Sequence, residues 1–69
     1  MKRDPVQSSN IISVGYDSAS STMEIEFKDG RVYQYFDVPD HVYRELVSAP
    51  SAGVFFHQSI RGQYAYARL

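Results

Sequence analysis

The stretch Thr22-Met23-Glu24-Ile25-Glu26-Phe27, followed by Lys28-Asp29-Gly30-Arg31, constrains this chain most, because it is hard to read as anything but strand and turn. Met23, Ile25 and Phe27 point one way and Glu24 and Glu26 the other, which is the two-residue period of a half-buried strand. Asp29-Gly30 reads as a two-residue type I′ hairpin turn, since both residues tolerate the positive φ that such a turn requires. Counting outward from that loop sets the register. Phe27 falls opposite Val32, Glu26 opposite Tyr33, Ile25 opposite Gln34, Glu24 opposite Tyr35 and Met23 opposite Phe36. On this count Val32 and Phe36 belong to the core, and Tyr33 and Tyr35 stand on the far face beside Glu24 and Glu26.

The preceding segment agrees about which face is core. Ile12, Val14 and Tyr16 alternate with Ser13 and Gly15, and a turn centred on Ala19-Ser20 pairs Tyr16 with Met23, Val14 with Ile25 and Ile12 with Phe27. Residues 1–9 combine Pro5 with polar residues and have no period, so they read as a flexible lead-in to a single domain over 10–69. After Phe36 the period changes. Val38, Val42, Tyr43, Leu46 and Val47 recur at three- and four-residue steps, Pro39 suits the first helical position, and Asp37 and Asp40 favour the positive end of the helix dipole. Pro50 stops that helix, Ser51 caps a second, and Gly62 ends it. The tail Gln63 to Leu69 either adds a short strand or drapes over the core. The predicted fold is α+β: a three-stranded antiparallel meander with two helices on one face, in the order β-β-β-α-α, with a short C-terminal strand as an option.

A chain of 69 residues has room for one core, and with 43% apolar residues and no cysteine that core is built without disulfides or a thiolate metal cage. The opening residues lead into polar ones, not a signal-peptide core, and no apolar run approaches the roughly 18 residues of a membrane span. A soluble cytoplasmic protein without membrane contact is expected. The formal charge of −1 argues against a strongly basic nucleic-acid binder, but it conceals a gradient. All eight acids lie in residues 1–47, whereas Arg61 and Arg68 are the only formal charges after Ser48, so an anion-binding surface should favour the C-terminal third.

Two surfaces are candidates for binding. Tyr33 and Tyr35, with Arg31 and Lys28 at the hairpin end, have the chemistry to stack on unpaired bases and neutralise phosphate, although Glu24 and Glu26 beside them would repel it. The same tyrosines also serve as cross-strand partners, as a surface covered by Tyr64 and Tyr66, or as a dimer contact. The second candidate is the start of the second helix, where Ser51 and Gly53 present backbone N–H groups to an anion, with His57 and Arg61 nearby. The alternative there is simple capping by Ser51, with Gly53 allowing close packing. His41 and His57 lack metal-ligand spacing, the glycines are isolated rather than gathered in a phosphate loop, and no nucleophile, base and acid share a recognisable spacing. No catalytic residue, metal or cofactor is assigned.

Taken in order, several landmarks resemble the KTSC domain, the short module named for its place at the C-terminus of some lysyl-tRNA synthetases and also found free-standing in bacteria. They are Ser8-Ser9-Asn10-Ile11, Val14-Gly15-Tyr16-Asp17, Phe27 with Gly30, Tyr33-Gln34-Tyr35, Val38-Pro39, Val42-Tyr43 with Leu46, Ala49-Pro50-Ser51 with Gly53, and Phe55-Phe56-His57 with Ile60-Arg61. The resemblance spans about Ser8 to Tyr66 and places the family's Tyr-x-Tyr motif on Tyr33 and Tyr35. It departs at His57, where the family pattern more often has Asn. The family has no assigned activity, and its synthetase context implies RNA. The expected function is therefore a small non-enzymatic module that binds RNA or another anionic polymer weakly. The alternative is a protein-interaction or self-association module using the same tyrosines, as a monomer or weak homodimer.

Overall fold

Strand pairing decides this fold, and the hairpin turn at Gly30 decides the pairing. The computed structural model describes residues Met1–Leu69. Its elements are β1 (Asp4–Pro5), β2 (Ile11–Asp17), β3 (Thr22–Phe27), β4 (Val32–Tyr35), α1 (Asp40–Ser48), α2 (Ala52–Ser59) and β5 (Tyr66–Arg68). The fold is α+β, with one antiparallel sheet in the spatial order β1-β2-β3-β4-β5 and both helices inserted between β4 and β5. The sheet thus has five strands where the sequence suggested three. The tail forms β5, and the segment expected to be without structure contributes β1, in which Asp4 and Pro5 pair with Val14 and Ser13.

The β3–β4 turn is not the predicted two-residue loop. Asp29 keeps a negative φ and only Gly30 is left-handed, at φ +91°, so the type I′ requirement of two positive φ values is not met. Asp29 is held instead by its own carboxylate, which accepts the Arg31 backbone N–H at 3.0 Å and pairs with Arg31 Nε at 2.7 Å. Gly30 N–H donates to the Phe27 carbonyl and Phe27 N–H to the Arg31 carbonyl, closing a three-residue loop of Lys28, Asp29 and Gly30. The extra loop residue shifts the ladder by one. Met23 now faces Tyr35, Glu24 faces Gln34, Ile25 faces Tyr33 and Glu26 faces Val32. Because side chains alternate with period two, Tyr33 and Tyr35 move to the core face and Val32 leaves it. The expected exposure of both tyrosines beside Glu24 and Glu26 is therefore overturned: Tyr35 is only 6% exposed and Tyr33 is half-buried.

The β2–β3 hairpin keeps its predicted pairs Tyr16–Met23 and Val14–Ile25, then departs. A bulge between Ile11 and Ser13 sets Ile11, not Ile12, opposite Phe27. Ile11 is buried while Ile12 is 40% exposed, so the bulge lets two adjacent isoleucines avoid competing for one core site.

The core lies between one sheet face and the helices. Val14, Met23, Ile25 and Tyr35 meet Val42 and Leu46 from α1 and Ala52, Phe56 and Ile60 from and just after α2. Val42 and Leu46 stand one turn apart, as an amphipathic helix requires. Tyr16 ties the chain entering α1 to the sheet: its hydroxyl donates to the Val38 carbonyl at 2.6 Å and its ring stacks on Tyr43 at 5.1 Å. Pro39 stands at the N-cap, one residue before its predicted place. Ser51 caps α2 as expected, with its Oγ accepting the Val54 N–H at 3.3 Å.

The other sheet face is polar. Glu24, 8% exposed, accepts from Gln34 Nε2 at 3.0 Å and faces Arg3 Nη1 at 3.3 Å, while Ser13 Oγ donates to Glu26 at 3.1 Å. Arg3 reaches these carboxylates across Gly15, where an added Cβ would lie 2.4 Å from the Lys2 carbonyl oxygen and 2.9 Å from Arg3 Cγ. A side chain there must push the first strand away. Gly15→Ala is expected to lower stability by about 1–3 kcal/mol, with loss of amide-exchange protection at β1; chemical denaturation with an unchanged midpoint would contradict this.

Candidate functional site

The shifted register brings aromatic residues from four elements to one place. Tyr33 and Tyr35 come from β4, Phe27 from the end of β3, Phe56 from α2, and Tyr66 from β5, where it pairs directly with Tyr35. Their rings touch in sequence. Tyr33 meets Phe27 edge-on at 5.8 Å and Tyr66 at 5.8 Å, Tyr35 meets Phe56 at 5.6 Å and Tyr66 at 5.9 Å, and Phe27 meets Phe56 at 5.4 Å. Such edge contacts fix ring orientation as well as burying area. Tyr66 remains 64% exposed, so the cluster grades from a closed floor at Tyr35 to an open wall.

This cluster lines a groove of about 780 Å³. Its rim carries cations, Lys28 and Arg31 from the hairpin turn and Arg61 just after α2, with the His57 ring beside Arg61. Asp29 also lines it, and its ion pair with Arg31 is about half exposed on both sides, which makes it a weak constraint. Lys28 and Arg61 have no carboxylate within ion-pair distance. Arg61 Nη1 lies 3.3 Å from His57 Nδ1, within hydrogen-bond distance. The Arg31 guanidinium is held above its ordinary pKa, first by a hydrogen bond with Tyr33 and next by Asp29.

Five of the residues singled out in the sequence, Lys28, Arg31, Tyr33, Tyr35 and Arg61, therefore share one groove, with His57 beside them. They share it for a reason the sequence concealed, since the tyrosines face the helices and not away from them. Ser51 and Gly53 line a neighbouring cavity of about 340 Å³ that also includes His57. The N–H groups there are partly engaged: Val54 N–H by Ser51, and Ala52 N–H by the Gln7 carbonyl at 3.3 Å. An added Cβ on Gly53 would lie 2.9 Å from Ser8 Oγ, so this glycine admits the N-terminal segment against the helix. Sequence reasoning missed Phe27, Phe56 and Asn10 as groove residues and named Tyr66 only as part of a cover for Tyr33 and Tyr35. Of the second Tyr-x-Tyr triplet, Tyr64-Ala65-Tyr66, only Tyr66 lies in β5, where it stands opposite Tyr35.

The chain is thus a small α+β domain with an aromatic groove rimmed by Lys28, Arg31 and Arg61. Comparison with known proteins identifies the family: residues 7–64 match the KTSC domain, and the chain belongs to it. The crystal structure of a KTSC domain protein from Yersinia pestis superposes with a TM-score of 0.93 at 39% identity, covering 99% of this chain and 96% of that one. An uncharacterised protein of Stutzerimonas stutzeri is 41% identical over 70 residues, covering 100% of this chain and 99% of its own length. A lysine–tRNA ligase of Trichormus variabilis is 46% identical over 54 residues, 78% of this chain. The chain spans about 10% of the length of that ligase. No helix is long and apolar enough to cross a membrane.

Burial, with the neighbouring Tyr33 and Tyr66 hydroxyls adding to it and Arg61 opposing it, pushes the Tyr35 phenol up to about 12. The folded state thus keeps the Tyr35 proton when the unfolded chain, titrating near 10, has lost it. Stability from this group is complete below pH 10 and falls as pH rises toward 12. Between pH 9 and 11.5, wild type is expected to lose roughly 2 kcal/mol more than Tyr35→Phe in urea unfolding; equal losses would show that Tyr35 does not resist ionisation.

Proposed function

We propose that this domain binds single-stranded RNA in the aromatic groove, without catalysing a reaction. The observation that carries this reading is the meeting of exposed aromatic surface, at Tyr66 and Tyr33, with the unpaired cations Lys28 and Arg61 in one groove. Aromatic rings stack on any base, and nearby cations take the phosphates between bases. The acidic obstacle expected from the sequence also recedes. Glu24 and Glu26 lie on the opposite sheet face, partnered by Arg3, Gln34 and Ser13. The similarity to a segment of lysine–tRNA ligases adds support, since those enzymes handle RNA. A cytoplasmic setting, expected from the cysteine-free composition, suits such a ligand.

Protein contact is the second reading, favoured by β5, which is exposed along its length at the sheet edge. Fluorescence anisotropy with labelled single-stranded RNA separates the two. Two to three phosphate contacts predict a slope of about −1.4 to −2.1 in log affinity against log salt. Tyr66→Ala is expected to weaken binding roughly 5- to 150-fold, the equivalent of one lost stack of ~1–3 kcal/mol. No binding at low salt, together with a sedimenting dimer that Tyr66→Ala dissociates, would replace this reading with self-association.

A further inference from the structure

The groove and the smaller cavity beside it share Asn10 and His57 and differ in character. Five aromatic rings line the first. Ser9, Asn10, Ser51 and Gln58 bring hydroxyl and amide groups to the second, beside the apolar surface of Val54. Asn10 stands between them in an unusual position. Its backbone is fixed on both sides, with its N–H donating to Ser8 Oγ at 3.2 Å and its carbonyl accepting the Lys28 N–H at 2.9 Å. Ser8 Oγ also receives the Ile11 N–H at 3.2 Å, which completes a local turn at the entry to β2. The Asn10 side-chain amide, by contrast, has no hydrogen-bond partner in the protein, and neither has that of Gln58. Both residues are exposed, so each amide is open to a ligand that donates and accepts at once. Nucleobase edges offer the matching donor and acceptor pairs.

We propose that the two cavities are successive subsites for adjacent nucleotides, in which the aromatic groove stacks one base and the amides of Asn10 and Gln58 read the edge of the next. The proposal rests on the RNA-binding reading and adds its register and a source of base preference. The shared wall at His57, with Arg61 one turn further along, places a cation where the linking phosphate would pass. At the helix start two N–H groups are already engaged, Val54 by Ser51 and Ala52 by Gln7. The smaller cavity, about 340 Å³, lies within the roughly 300–1,000 Å³ of small-ligand sites.

The test titrates wild type with the four 5′-mononucleotides and with dinucleotides covering all base pairs of neighbours, followed by amide chemical shifts. Dinucleotides are expected to bind at least about tenfold more tightly than mononucleotides and to show about a fivefold or greater preference for the base at one of the two positions. Asn10→Ala and Gln58→Ala should each shrink the dinucleotide advantage and flatten that preference. Gln58 is exposed on α2, so its variant retains the fold even where Asn10→Ala loosens the entry to β2. Dinucleotides that bind no better than mononucleotides, or a base preference that survives Gln58→Ala in a folded protein, would overturn the two-subsite arrangement while leaving the groove as an RNA site. Absence of binding by any nucleotide or RNA would remove the groove reading itself.

Discussion

The bond from Phe27 N–H to the Arg31 carbonyl, closed over Gly30 in the left-handed region, is the contact on which the rest of the structure depends. It makes the β3–β4 loop three residues long and so sets which side of β4 faces the helices. A two-residue loop would have sent Val32 and Phe36 inward and both tyrosines out. Asp29 secures the choice by bonding to the backbone two residues ahead, which leaves the positive φ to glycine alone. The groove contacts of Tyr33 and Tyr35 follow from that one-residue difference in loop length.

The polar face shows the same economy in reverse. A buried glutamate costs several kcal/mol unless it is hydrogen-bonded and paired. Here Glu24 receives an amide from β4 and a guanidinium from Arg3, and no buried side-chain nitrogen or oxygen lacks a partner. Arg3 reaches it because Gly15 has no side chain. The N-terminal segment is therefore part of the sheet's electrostatics, although only Asp4 and Pro5 of it pair in the ladder. Neutralising the acids on this side leaves the cations on the groove side without local competition from Glu24 and Glu26.

Within the groove, burial and exposure are divided between two tyrosines that sit opposite one another on adjacent strands. Tyr35 closes the floor and stays protonated, while Tyr66 at the sheet edge offers most of its ring to solvent. That gradient suits a site in which the floor is held by packing and the wall adapts to a ligand. The wall stands at the sheet edge, since β5 is bonded to the sheet along one side only.

Local chemistry in the sequence determined much of this protein. The alternation of Met23 to Phe27, the turn at Ala19-Ser20, the helical spacing of Val42 and Leu46, the cap at Ser51 and the left-handed Gly62 all stand where residue periodicity and backbone preference put them. The gathering of Lys28, Arg31, Tyr33, Tyr35 and Arg61 as residues of interest was also legible, as aromatics and cations near a hairpin end. Three matters were left to the tertiary structure: the face on which the tyrosines lie, the choice of Ile11 over Ile12, and the pairing of Asp4–Pro5 and Tyr66–Arg68 as edge strands. The reason is parity. Asp-Gly is compatible with loops of two or three residues, both registers bury apolar or aromatic side chains, and the energy that separates them comes from packing against Phe56 and Tyr66, which are distant in the chain.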